Sequence, residues 1–190
     1  MNALMKRLSL AATLLPSAAL AHPGHVHDEA QFVHGLAHPV GGADHLLAMV
    51  ALGLLAAQLG GRAVWALPVT FVGAMLAGGA MGAGGMGFPA VEPMILASVV
   101  ILGALVAMAA RLPLAAMVPG VALFGMANGW AHGAEGPAAG LAAYAAGFAV
   151  ATMALHGAGI GAARILERGM ALRVLGGGTA AGGLVLAMVG

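Results

Sequence analysis

The chain has 190 residues, of which 62% are hydrophobic and only 7% charged, and its mean hydropathy is +1.01. An average soluble domain carries about 25% charged residues, so this composition excludes a water-covered globule and implies an integral membrane protein. The formal net charge of +1, without a basic cluster, excludes a nucleic-acid surface, and the absence of cysteine excludes disulfides and thiolate metal sites.

Residues 1–21 read as a secretory signal peptide. Lys6 and Arg7 form the positive region, Leu8 to Leu20 the apolar region, and Ala19-Leu20-Ala21 the small-residue cleavage site. Pro16 and the short length argue against an uncleaved first span. Residues 22–30 then form a histidine-rich leader outside the membrane, with His22, His25 and His27 as weak metal collectors. The plainer reading of the leader is a solvated, flexible segment.

Residues 31–190 form the membrane-spanning domain, an all-α polytopic bundle of about six transmembrane helices. The long runs of Ala, Leu, Gly and Met do not alternate polar with apolar, as barrel strands would. The first span runs from about Gln31 to Leu59 and is bent by Pro39 and Gly41-Gly42. The others cover about Ala63 to Gly82, Glu92 to Ala110, Pro113 to Trp130, Pro137 to Gly161 and Leu172 to Gly190. The glycines of the last two spans, including Gly176-Gly177-Gly178, read as packing residues that let helices approach closely in lipid.

Charge orients the bundle. With a cleaved leader, Arg62, Arg111, Arg164, Arg168 and Arg173 all fall in loops on the cytoplasmic side. The opposite loops hold Glu92 and Glu135 and no Lys or Arg. This places the chain in a bacterial inner membrane, with the mature N-terminus and the C-terminus periplasmic.

Six of the eight histidines lie between His22 and His45. On a continuous helix His34 and His38 share a face, and His45 returns to it seven residues on. Asp44 points to one side of that stripe. A local break at Pro39 and the glycines swings Asp44 toward the imidazoles. Ionisable groups inside a membrane are costly and mark function by default. Imidazole and carboxylate suit Ni(II), Co(II), Zn(II) or Mn(II). Asp44 either ligates the ion or holds a neighbouring imidazole in the useful tautomer.

A second group closes the fourth span, where Asn128, His132 and Glu135 are spaced four and three apart on one face. His156 lies deeper in the fifth span. Plainer readings exist for several of these residues: interhelical hydrogen bonding for His156 and Asn128, and helix N-terminal placement for Glu92. Met75, Met81 and Met86 suit copper, but methionine is a common gap filler. A buried polar network without a ligand is the plain alternative for His38, Asp44 and His45.

At these residues the sequence resembles the HupE/UreJ family of nickel and cobalt permeases. The matching motifs are His38-Pro39-x-x-Gly42-x-Asp44-His45 followed by Leu46-Leu47, then Ala131-His132-Gly133-x-Glu135, then His156-x-x-Gly159. Signal peptide, six spans and length fit as well. The resemblance implies uptake of Ni(II), or of Co(II), serving enzymes such as hydrogenase or urease. In one departure, Asn128 stands where the family often has histidine. The expected metal-binding residues are therefore His38, Asp44, His45, His34, His132, Glu135 and His156, with His22, His25 and His27 in the leader. The ion is cargo, and no prosthetic group is expected. The expected partners are a divalent metal ion and the lipid bilayer, with self-association into a homo-oligomer allowed. Two other readings stand beside the permease: an intramembrane metal-dependent hydrolase using the same His and Asp ligands, for which no HExxH motif is present, and a metal-binding accessory protein that does not transport.

Overall fold

The computed structural model describes residues 23–166 and 169–189, and within them every regular element is a helix. Seven helices follow in order: α1 (Pro23–Gly41), α2 (Ala43–Leu59), α3 (Ala63–Ala83), α4 (Val91–Ala107), α5 (Leu114–Ala134), α6 (Leu141–Ile165) and α7 (Met170–Val189). Helices α3, α5, α6 and α7 are each long and apolar enough to cross a membrane. The pair α1–α2 passes the same test as one span, bent by 84° at its break. The apolar α4 has 17 residues, about 26 Å of helix at 1.5 Å per residue, near the lower limit for a span. The expected six spans thus appear as four full helices, one broken helix and one short one. The signal peptide and His22 lie outside the described residues. Pro23–Ala30, read as part of the histidine-rich leader, form the first turns of α1.

Helix α2 occupies the centre. Ala48, Met49, Ala51, Leu52, Leu54, Leu55 and Ala56 are all essentially inaccessible. A helix apolar on every side belongs where every side is covered, and α3, α4, α6 and α7 all pack on it. Around it the outer helices turn Val69, Leu76, Ile101, Leu123, Val150, Leu184 and Val185 outward, as a lipid-facing surface requires.

Small residues set the helix spacing. On α5, Gly125, Gly129 and Gly133 lie one turn apart, against the backbone of Phe71, Met75 and Gly79 on α3. Gly78 and Gly82 return the contact onto Met126 and Trp130. Gly35 and Gly147 do the same between α1 and α6, Gly53 and Gly159 between α2 and α6, and Gly103 and Gly176 between α4 and α7. Lipid offers no hydrophobic drive between helices, so close backbone packing is what holds them.

Loop contacts fix the two ends. The Trp130 indole N–H donates to the Met86 carbonyl at 2.6 Å, tying the end of α5 to the loop after α3. At the other end the Arg173 Nε–H donates to the Ala107 carbonyl at 2.8 Å. Arg62, Arg111 and Arg173 thus share one end, and His38, His45 and His132 lie toward the other.

Candidate functional site at the broken helix

The break between α1 and α2 falls at Gly42, whose φ of −107° and ψ of 121° are extended. Pro39 does not break the helix. It is buried, and α1 continues through it to Gly41. The expected single stripe of three imidazoles is corrected accordingly, because helical periodicity stops at Gly42. His34 and His38 do share a face, with ring centroids 5.7 Å apart. The bend, and not the repeat, brings His45 to them.

The centre of the cluster is His132 at the end of α5. Its ring lies 4.7 Å from that of His38 and 4.4 Å from that of His45. Three separate helices therefore place three imidazoles together. Phe148 lies beneath, 4.4 Å from His132 and 5.9 Å from His38. Tyr144, one turn earlier on α6, stacks 5.2 Å from His34 and 5.7 Å from His38. Neither aromatic residue was among the expected site residues. Their only sequence signal was two rings at a four-residue spacing in a chain that is 4% aromatic.

Asp44 has one defined role in this geometry. The His45 Nδ1–H donates to Asp44 Oδ1 at 2.8 Å. A neutral imidazole held this way keeps its lone pair on Nε2. That atom and His132 Nε2 are both buried without a hydrogen-bond partner among the described residues. Buried polar atoms are nearly always satisfied, so orphans at one place call for a ligand or water. The His38 and His132 rings meet edge to face and those of His45 and His132 are tilted by 57°, however, and no three His, Asp or Glu side chains among the described residues converge as ligands on one point.

Gly42 makes room for this pair. A Cβ there would lie 2.8 Å from Asp44 Oδ1 and 3.0 Å from His45 Nδ1. Both are ends of mobile side chains, so the clash relieves itself by displacing the pair. Gly42→Ala should therefore leave the thermal midpoint of the protein within about 2 °C while displacing the Asp44–His45 pair and, if the cluster holds a metal ion, weakening its retention several-fold. Parallel thermal-melt and equilibrium-dialysis measurements check this, and a strongly lowered midpoint would place the glycine's role in folding.

The remaining expected residues are more scattered. Glu135 is exposed at the C-cap of α5, and no ion pair among the described residues joins it to the imidazoles. No hydrogen bond joins Asn128 to His132 among the described residues. Its Nδ2–H donates back to the Phe124 carbonyl at 2.9 Å, leaving a buried, unpartnered Oδ1. His25 and His27 lie on the first turns of α1, and their side chains are outside the description. Glu92 is exposed in the first turn of α4.

His156 stands apart, eight residues beyond Phe148 and so about 12 Å further along α6. It is wholly buried, with neither ring nitrogen partnered among the described residues. The Phe71 ring packs edge-on at 5.3 Å. One turn toward the cluster, the Thr152 hydroxyl donates to the Met75 sulfur at 3.7 Å. These groups and Asn128 form a sparse line of buried polar atoms between the cluster and the arginine-bearing end.

The family model described as "HupE / UreJ protein" matches residues 10–186. The chain belongs to the HupE/UreJ family. Among curated relatives, protein HupE of Rhizobium leguminosarum bv. viciae is 45% identical over 182 residues, covering 94% of each chain. No solved structure matches. The family assignment agrees with an all-helical, multi-pass membrane protein. In this HupE/UreJ protein the three motifs fall on these buried polar groups: the first at the helix break, the second at His132, the third at His156.

Proposed function

We propose that this HupE/UreJ protein is an uptake permease for a divalent transition metal, Ni(II) or Co(II), and that it is not an enzyme. The observation that carries the reading is the meeting of His38, His45 and His132, from three helices, beside the 84° break between α1 and α2. Broken helices are a recurrent way to build ion sites inside transporters.

The rings must turn for an ion to bind, since they now lie edge to face or tilted to one another. Rotation about the side-chain torsions of His38, His45 and His132 would bring three nitrogens onto one ion. Asp44 keeps the His45 Nε2 lone pair available throughout. A site assembled from separate helices holds its ion only while those helices stay together, which suits both selection and release. His156 is the next imidazole on the way inward. Asn128, Thr152 and Met75 supply the polar atoms between. The entry site faces the periplasm and the arginines face the cytoplasm of a bacterial inner membrane, in agreement with the charge asymmetry of the loops. Glu135, His34 and the leader residues His22, His25 and His27 would gather metal at the mouth.

Asp44→Asn tests the reading. The amide cannot accept from His45 as a carboxylate does, and loss of such an orienting partner costs about 10–100-fold in metal affinity or activity. Nickel accumulation in cells lacking other nickel uptake should fall by that order. Unchanged accumulation in both Asp44→Asn and His38→Ala would falsify the permease reading. Metal-dependent hydrolysis by purified protein, without metal movement into liposomes, would replace it with the hydrolase alternative.

A further inference from the structure

The arginine-bearing end holds a cavity of about 620 Å³ that the metal path does not use. Its polar lining is Arg62, Arg111 and Gln58, and its apolar lining includes Leu59, Leu112 and Leu114. Four features converge there. Arg62 and Arg111 face the same space, and no carboxylate pairs with either among the described residues. Gln58 is 8% exposed, yet its Nε2 and Oε1 atoms are buried without a hydrogen-bond partner among the described residues. The N-termini of two helices, α3 and α5, open onto the cavity through Arg62-Ala63 and Pro113-Leu114. Neither N-terminus has a side-chain cap.

The turn before α3 explains the arrangement. Gly60 and Gly61 have φ of 73° and 53°, a conformation that residues with a Cβ rarely adopt. The Ala63 N–H donates to the Gly60 carbonyl at 3.1 Å, closing the turn. The chain thus reverses within two residues of Gln58, so the amide at the end of α2 and the start of α3 border one space. Uncapped helix N-termini carry partial positive charge and free N–H donors, the usual construction of an anion site. Two guanidiniums add forked donors matched to phosphate oxygens.

The geometry points to a binding site for a phosphate-bearing anion at the end of the bundle opposite the histidine cluster, held by Arg62, Arg111, Gln58 and the N-termini of α3 and α5. Basic pockets between membrane helices bind lipid headgroups, and free phosphate offers the same oxygens. The leucines beside the arginines, with Leu112 45% exposed, give an acyl-bearing phosphate an apolar wall that inorganic phosphate does not need. The site does not depend on the permease reading.

The test uses full-length protein in nanodiscs of phosphatidylcholine, of phosphatidylcholine with phosphatidylglycerol, or of phosphatidylcholine with millimolar inorganic phosphate. Phosphatidylglycerol should raise the thermal midpoint by about 5 °C over phosphatidylcholine alone, as a ligand bound only to the folded state does. Arg62→Gln/Arg111→Gln should abolish the increment, Gln58→Leu should reduce it, and Arg62→Lys/Arg111→Lys should keep part of it. An equal increment from inorganic phosphate alone would assign the site to free phosphate. The proposal is overturned if neither addition shifts the wild-type midpoint, or if the glutamine double variant, folded with an unchanged midpoint in phosphatidylcholine, keeps the full increment.

Discussion

Nickel accumulation should fall to background in His132→Ala while the protein still folds and inserts. His132 is the one imidazole in ring contact with both His38 and His45. Without it, α1 and α2 would offer His38 and His45 with no nitrogen between them, and the third helix would no longer contribute. The substitution also removes the buried, unpartnered Nε2 atom rather than creating a new one, so its cost to folding is that of lost ring packing on Phe148. Truncating a buried Phe or Trp to Ala costs about 3–5 kcal/mol in a full core, and removing the smaller imidazole at this half-buried position costs less. Tyr144→Phe provides the contrast. Tyr144 meets His34 and His38 through its ring, and phenylalanine keeps that ring at nearly the same volume, a change that cores tolerate, so accumulation should stay close to wild type. Accumulation assays with membrane-inserted protein quantified in the same cells decide both. Wild-type uptake by His132→Ala would remove the three-helix cluster from the mechanism. Loss of uptake in Tyr144→Phe would move its hydroxyl into it.

The bundle was legible in the sequence because lipid imposes a simple rule. Apolar runs of span length must become helices, and five of the six expected spans match a helix within a few residues at most ends. The largest differences among these are four residues: α5 and α6 each run that far past their expected ends, and α6 starts that much later because Pro137 to Gly140 form a loop that closes at Gly140 with φ of 71°. The site was legible as a set of residue types but not as a geometry. Periodicity placed His34 over His38 correctly, since α1 is continuous there. It placed His45 on the same stripe only by carrying 3.6 residues per turn through Gly42, where the chain is extended. It also gave Asn128, His132 and Glu135 a common face. The backbone carbonyl of Phe124 captures the first, and the last lies beyond the final turn of the helix. Tyr144 and Phe148 belong to the cluster through tertiary contact alone, and a single sequence carries no signal for such pairing. Gln58 was equally hidden. One amide at the end of an apolar run gains meaning only once the Gly60-Gly61 turn brings two arginines and two helix starts around it.

Gly129→Val should abolish folded protein, the largest loss of stability expected from any single change described. A Cβ at Gly129 would run into the backbone of Met75, with its carbonyl oxygen nearest. Unlike the side chains facing Gly42, that backbone belongs to the close-packed ridge of α3 and cannot swing away. Gly125 and Gly133 fix the same two helices one turn to either side, so α3 and α5 would have to separate along three turns at once. Overpacking by extra methylenes costs about 1–3 kcal/mol where side chains can adjust. Backbone against backbone leaves nothing to adjust, and a typical domain has only about 5–15 kcal/mol to lose. Gly73→Val is the control on α3, because a Cβ there meets nothing within 4 Å. Detergent-extracted Gly73→Val should elute as a single species by size exclusion, whereas Gly129→Val should be degraded or aggregate. The effect reaches function through position, because Gly129 lies one turn before His132. A Gly129→Ala variant that folded would hold α5 away from α3, and His132 would leave the rings of His38 and His45. It should therefore lose nickel accumulation while keeping all its histidines. Full uptake by a folded Gly129→Ala protein would mean that the cluster tolerates displacement of α5, contrary to a site built by close helix packing.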